Sequence, residues 1–105
     1  MSPEEALKLL ANPTRMAVLM WLKNPDEAFA GYVQLYPFDQ YGVCASLIQD
    51  KAGLSQPATS LCLKALQSAG LVETSKVGKW TYYRRAEPRI REVTDAVTHS
   101  LQALL

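Results

Sequence analysis

Gln56, Ser60 and Lys64 recur at intervals of four, which places an amide, a hydroxyl and an ammonium on one face of a helix. The amide offers a donor and an acceptor together, the pair needed for the edge of adenine. The hydroxyl suits a phosphate or a base, and the ammonium suits the backbone of a polyanion. Ser55 stands before this row as a helix cap. A capped helix start aims backbone N–H groups and the positive end of the dipole at the same kind of ligand. The other reactive side chains are few: two cysteines, Cys44 and Cys62, and one histidine, His99, four residues after Asp95. No glycine-rich phosphate loop and no recognisable nucleophile–base spacing accompanies them, so the chain does not read as an enzyme.

The elements around the row must present it outward. Ser55 opens a helix with a body from Gln56 to Ala69, ended by Gly70 in the left-handed conformation. Thr59, Cys62, Leu63, Leu66 and Ala69 fall inward; Gln56, Ser60, Leu61, Lys64, Gln67 and Ser68 fall outward. A shorter helix from about Cys44 to Ala52 precedes it across Gly53-Leu54. Behind it, Leu71 to Ser75 reads as a strand, Val77-Gly78 as a turn and Trp80 to Arg84 as the return strand. Lys76 and Lys79 flank that turn, and Trp80, Tyr82 and Tyr83 are expected to pack the hairpin on the core. A helix, a glycine turn, a capped helix and a basic-tipped hairpin make a winged helix-turn-helix. The second helix of that unit would enter the major groove of duplex DNA, with the hairpin beside it on backbone or minor groove.

The rest of the chain frames this unit. Ser2-Pro3-Glu4-Glu5 is a capping box opening a helix through Ala11, and Asn12-Pro13 opens a second helix, Pro13 to Lys23, stopped at Asn24-Pro25. Met16 to Leu22 is apolar all round and predicts a buried central helix. Residues 25–42 are irregular and carry five aromatics: Phe29, Tyr32, Tyr36, Phe38 and Tyr41. This loop either lines a small-molecule pocket, extends a dimer interface or covers the central helix, and Tyr41-Gly42-Val43 is a candidate short strand. Glu87-Pro88 opens a last helix, on which Ile90, Val93, Val97, Leu101 and Leu104 form an apolar stripe. The expected fold is mainly α with a small β-hairpin: about five helices plus a two- or three-stranded wing, in one domain over 1–105.

Composition agrees with that class. The 105 residues are 49% hydrophobic and 20% charged, an ordinary globular mixture. The formal net charge is +1, but Ser55 to Arg91 holds seven basic and two acidic residues, and the remainder four basic and eight acidic. A basic half-chain points to a polyanionic partner. The apolar run Met16–Leu22 falls far short of the roughly 20 residues of a membrane span, and the acidic N-terminus lacks a signal-peptide layout. A cytoplasmic, reducing location and unpaired cysteines are therefore expected.

Three segments, Asn12-Pro13-Thr14-Arg15, LSQPATSLCLKALQSAGLV (54–72) and GKWTYYR (78–84), resemble in order and spacing the ArsR/SmtB family of bacterial transcriptional repressors. The resemblance covers everything but the loop 25–42. It implies a homodimer on double-stranded operator DNA, paired through terminal helices 3–11 and 88–104. It also implies repression by blocking polymerase and DNA contacts from Ser55, Gln56, Thr59, Ser60, Leu61, Lys64, Lys76 and Lys79. The chain departs from the family in having Leu61 where a basic residue is common and Cys62 where histidine is frequent. The family's metal site near the third helix uses Cys-Val-Cys, and here the stretch is Gly42-Val43-Cys44, one ligand short. Its other metal site needs two ligand pairs on the last helix. Asp95 and His99 offer one pair, and Ser100 to Leu105 holds no second, so no metal or other cofactor is expected. Some members switch on thiol oxidation; Cys44 and Cys62 are either small core residues or a redox pair. A winged-helix module for protein contacts without DNA binding is the alternative to the repressor reading.

Overall fold

The computed structural model describes every residue from Met1 to Leu105. Its first helix, α1 (Pro3–Leu10), starts at a reciprocal capping box. The Glu5 N–H donates to Ser2 Oγ at 3.1 Å, and the Ser2 N–H donates to Glu5 Oε1 at 3.3 Å. Asn12 caps the second helix, α2 (Pro13–Lys23), by accepting from the Arg15 N–H at 3.1 Å. The central helix is not buried all round, contrary to the sequence expectation. Val18, Leu19 and Leu22 are buried, but Met16 and Met20 are 44% and 63% exposed. One face meets the core; the other joins Leu10, Ile90 and Val93 in an open apolar groove that no layer of the chain covers.

The segment 25–42 is less irregular than expected, holding two single-turn helices, α3 (Pro25–Ala28) and α4 (Phe38–Tyr41). Its rings pack down. Phe29 is buried, with the rings of Trp21, Tyr32 and Phe38 centred 5.5 to 6.2 Å away. Tyr36 and Tyr41 stand 4.8 Å apart, and both lie against buried Tyr82. The Gln34 amide pins the loop: it donates to the carbonyls of Tyr36 and Gly42 and accepts from the Cys44 N–H at 2.9 Å. The loop thus covers α2 and the base of the wing, although Val33 and Leu35 remain exposed.

Strand β1 (Val43–Cys44) and helix α5 (Ala45–Ala52) follow. Cys44 therefore belongs to the strand and only precedes the helix it was expected to open. Gly42 introduces β1 at φ +89°, where a Cβ would overlap the Tyr83 carbonyl. Helix α6 (Gln56–Ser68) ends one residue earlier than expected, with Ala69 as its cap and Gly70 at φ +77° behind it. Strands β2 (Val72–Val77) and β3 (Trp80–Arg85) complete an antiparallel sheet of order β1-β3-β2. Val43 pairs with Tyr83, and Val77 pairs with Trp80. The turn is Gly78-Lys79, one residue later than read from the sequence. Helix α7 (Glu87–Gln102) packs on α1, so Leu104 lies beyond it and is exposed. Seven helices and a three-stranded sheet result, the two extra helices being the single turns of the aromatic loop. Val18, Ile48, Leu63, Leu66, Leu71 and Val93 form the shared core, a winged helix-turn-helix arrangement.

Candidate nucleic-acid interface

Helix α6 is held by one side and bare on the other. Leu63 and Leu66 are buried beneath it, while Gln56, Ser60, Leu61 and Lys64 are exposed along its outer face. Ser55 Oγ accepts from the Ala58 N–H at 3.2 Å, fixing the helix start. Ser55 itself is exposed. Thr59 departs from its expected role as a contact. It is 4% exposed, and its Oγ1 donates to the Ser55 carbonyl at 2.9 Å, so it buttresses the first turn from within.

The wing supplies the second half of the surface. Gly78 takes φ +59° and no other residue of the turn has positive φ, the backbone of a II′ hairpin. Lys76 and Lys79 are exposed on either side of it. Gln49, Gln56 and Ser60 line one side of a groove, and Lys79, Trp80 and Thr81 line the other. The start of α6 and the tip of the wing thus form one continuous polar surface. Lys64 and Lys76 lie outside this groove, exposed on α6 and on the wing.

The charges on this face are uncompensated. The ion pairs of the chain join Arg84 to Glu73, Arg85 to Glu87 and Arg89 to Glu92. Lys64, Lys76 and Lys79 take part in none of them. Amide, hydroxyl and ammonium donors therefore stand free for a negatively charged ligand with acceptor edges.

Trp80 was expected in the core and is instead 41% exposed. It shares a strand face with buried Tyr82, as alternation requires, but it sits at the turn beyond the core's edge. Its ring lies 5.2 Å from Lys79 Nζ. Tyr82 and Tyr83 follow the expectation, and burial pushes both hydroxyl pKa values up. Arg85 has a structural role that its place in the charge balance does not reveal. Its guanidinium reaches Glu87 and the Leu19 carbonyl, and the only sequence signal was its separation of two from Glu87.

Cys44 is 4% exposed, with its Sγ accepting from Ser46 Oγ at 3.3 Å. Cys62 is half-buried, and desolvation raises its thiol pKa against a smaller opposing pull from Arg15. Both thiols are free. Asp95 and His99 lie exposed on α7, and no group of three or more His, Cys, Asp or Glu side chains gathers to hold a metal ion. No helix is long and apolar enough to cross a membrane.

No family model matches the chain. Similarity to individual proteins is extensive. An uncharacterised HTH-type transcriptional regulator of Bacillus subtilis, YbzH, is 40% identical over 95 residues, covering 90% of this chain and 94% of the relative. A proposed arsenical resistance operon repressor of Halobacterium salinarum, ArsR2, is 32% identical over 79% of this chain and 58% of its own length. The HTH-type transcriptional repressor SmtB of Mycobacterium tuberculosis is 28% identical over 91% of this chain and 60% of its own length.

Proposed function

The chain belongs to the ArsR/SmtB family of HTH-type transcriptional regulators, and from that premise we propose that it is a homodimeric repressor of a palindromic operator. The observation that carries this reading is the free polar face of α6 continuous with the wing tip. Gln56 reads a base edge, with adenine the best match to its amide. Ser60 adds a phosphate or base contact, and Ser55 presents the helix start to a phosphate. Lys64, Lys76 and Lys79 neutralise the backbone. Leu61, 71% exposed, offers only an apolar contact such as a thymine methyl.

The partner is a second copy of the chain, meeting it along α1 and α7. Leu7 and Leu101 are exposed there, and the groove holding Met16 and Met20 opens beside these helices, between α2 and α7 with Leu10 at its edge. A twofold axis through that surface puts two reading helices in successive major grooves, roughly 34 Å apart. The bound dimer then occludes polymerase. Cys44 and Cys62 serve as small core residues in this reading, and no cofactor takes part.

Selection of bound duplexes from a random pool tests the proposal. It should return an imperfect palindrome with half-sites about one helical turn apart. Gln56→Ala should then weaken the selected site more than random DNA. A protein that enriches no sequence is instead a protein-contact module.

A further inference from the structure

Arg85 closes β3 and ties that strand to two helices. Its Nη1 donates to the Leu19 carbonyl in the second half of α2 at 3.0 Å. Its Nε and Nη2 fork onto the Glu87 carboxylate in the first turn of α7, at 2.7 and 3.0 Å. The Arg85 side chain is only 12% exposed, so this joint is shielded on its arginine side. The carboxylate stands in a favourable place, in the first turn of α7 where the helix dipole favours negative charge. A two-point guanidinium–carboxylate pair also fixes orientation as well as distance.

We infer that Arg85, through Glu87 and the Leu19 carbonyl, fixes the angle between the wing and α7 and thereby sets the half-site spacing that the dimer accepts. The inference rests on the reading of the chain as a dimeric DNA-binding regulator. Helix α7 carries the proposed dimer contact, and β3 completes the wing whose Lys76 and Lys79 carry part of the proposed DNA contact; Arg85 is the polar joint between α7 and that wing. One added base pair turns a half-site by about 35° about the duplex axis. A rigid joint turns that misfit into lost affinity, and a loosened joint absorbs it. Arg85 is a positioning residue here and touches no DNA.

The test uses the selected operator with its half-site spacing changed by one base pair in either direction, and an isolated half-site as control. Wild type should lose about tenfold or more in affinity for each altered spacing, the scale of a lost base contact. Arg85→Gln and Glu87→Ala should bind the half-site within about twofold of wild type, with an unchanged salt slope, but reduce the spacing penalty to below about threefold. The Glu87 side chain is 65% exposed, so Glu87→Ala tests the joint even where Arg85→Gln does not fold. Folded variants that reproduce the wild-type spacing profile overturn the inference. A steeper salt dependence in wild type than in Arg85→Gln also overturns it, because Arg85 would then be a phosphate contact. A wild type that binds duplex with no spacing preference overturns the dimer reading, and this inference with it.

Discussion

Lys79 holds its Nζ 5.2 Å from the centroid of the Trp80 ring at the exposed tip of the wing. The ring's negative face favours the ammonium in that place, and the short turn behind it leaves the backbone little freedom. The pair presents a cation beside a partly exposed indole ring at the wing tip. Lys79→Ala should weaken specific and random duplexes alike and reduce the salt slope of the dimer by about two, one contact being lost from each protomer. Trp80→Ala should also weaken both, while changing the melting temperature little because the ring is not part of the core cluster. Titrations at several salt concentrations check both variants; an unchanged Lys79→Ala slope takes that residue off the phosphates.

Gly42 is the backbone position least able to change. Its φ of +89° and ψ of −158° lie in a region open essentially to glycine alone, and a side chain would collide with the Tyr83 carbonyl. Gly42→Ala should cost about 2–3 kcal/mol, a fall of roughly 10–20 °C in melting temperature for a domain of this size. Gly31 has φ +86° but open space around it, so Gly31→Ala should cost clearly less. Equal losses in a thermal melt would mean that the close approach between β1's leading residue and β3 does not hold.

How much of this was legible in the sequence follows from the range of each interaction. The capping box at Ser2, the Asn12 and Ser55 caps and the turn glycine at 78 are local, and the structure realises each of them. The outer face of α6 was readable because helical periodicity alone separates Gln56 and Ser60 from Leu63 and Leu66. What escaped depends on partners distant in the chain. Met16 and Met20 are apolar, yet whether a layer covers them is decided by α1 and α7. Trp80 obeys the strand alternation but lies past the end of the core. Gln34 and Arg85 act through carbonyl groups, which leave no trace in residue types. Helical periodicity places Thr59 inward, and its bond to the Ser55 carbonyl agrees; it is the contact role implied by the family resemblance that the structure does not support.

Stability should fall in acid partly through Glu87. Hydrogen bonding from Arg85 holds the Glu87 carboxyl below the ordinary glutamate range. A lowered folded-state pKa contributes stability that is whole above the ordinary value of about 4.3 and is lost as pH falls through the folded value. The melting temperature of Glu87→Gln should therefore lie below wild type at neutral pH, and the gap should narrow as pH falls below the ordinary glutamate range. The group is largely exposed, so the effect is screened and shrinks in salt. A gap that stays constant across this range would contradict the assignment.

The two thiols should be quiet. Burial of Cys44 and the raised pKa of Cys62 both lower the fraction of accessible thiolate. Both should react with a thiol reagent far more slowly in native than in unfolded protein, and treatment with mild oxidant should leave duplex affinity unchanged. An intramolecular Cys44–Cys62 bond, found by mass spectrometry together with lost DNA affinity, would show instead that this pair is a redox switch.

The central claim is that the polar side of α6 and the wing tip grip the phosphates of a double helix. Measuring the affinity of the intact protein for the selected duplex across salt concentration tests it most directly. With Lys64, Lys76 and Lys79 from each of two protomers at the backbone, the logarithm of affinity should fall linearly with that of salt, with a slope of about −5. A slope near zero, or no binding even at low salt, would contradict the account.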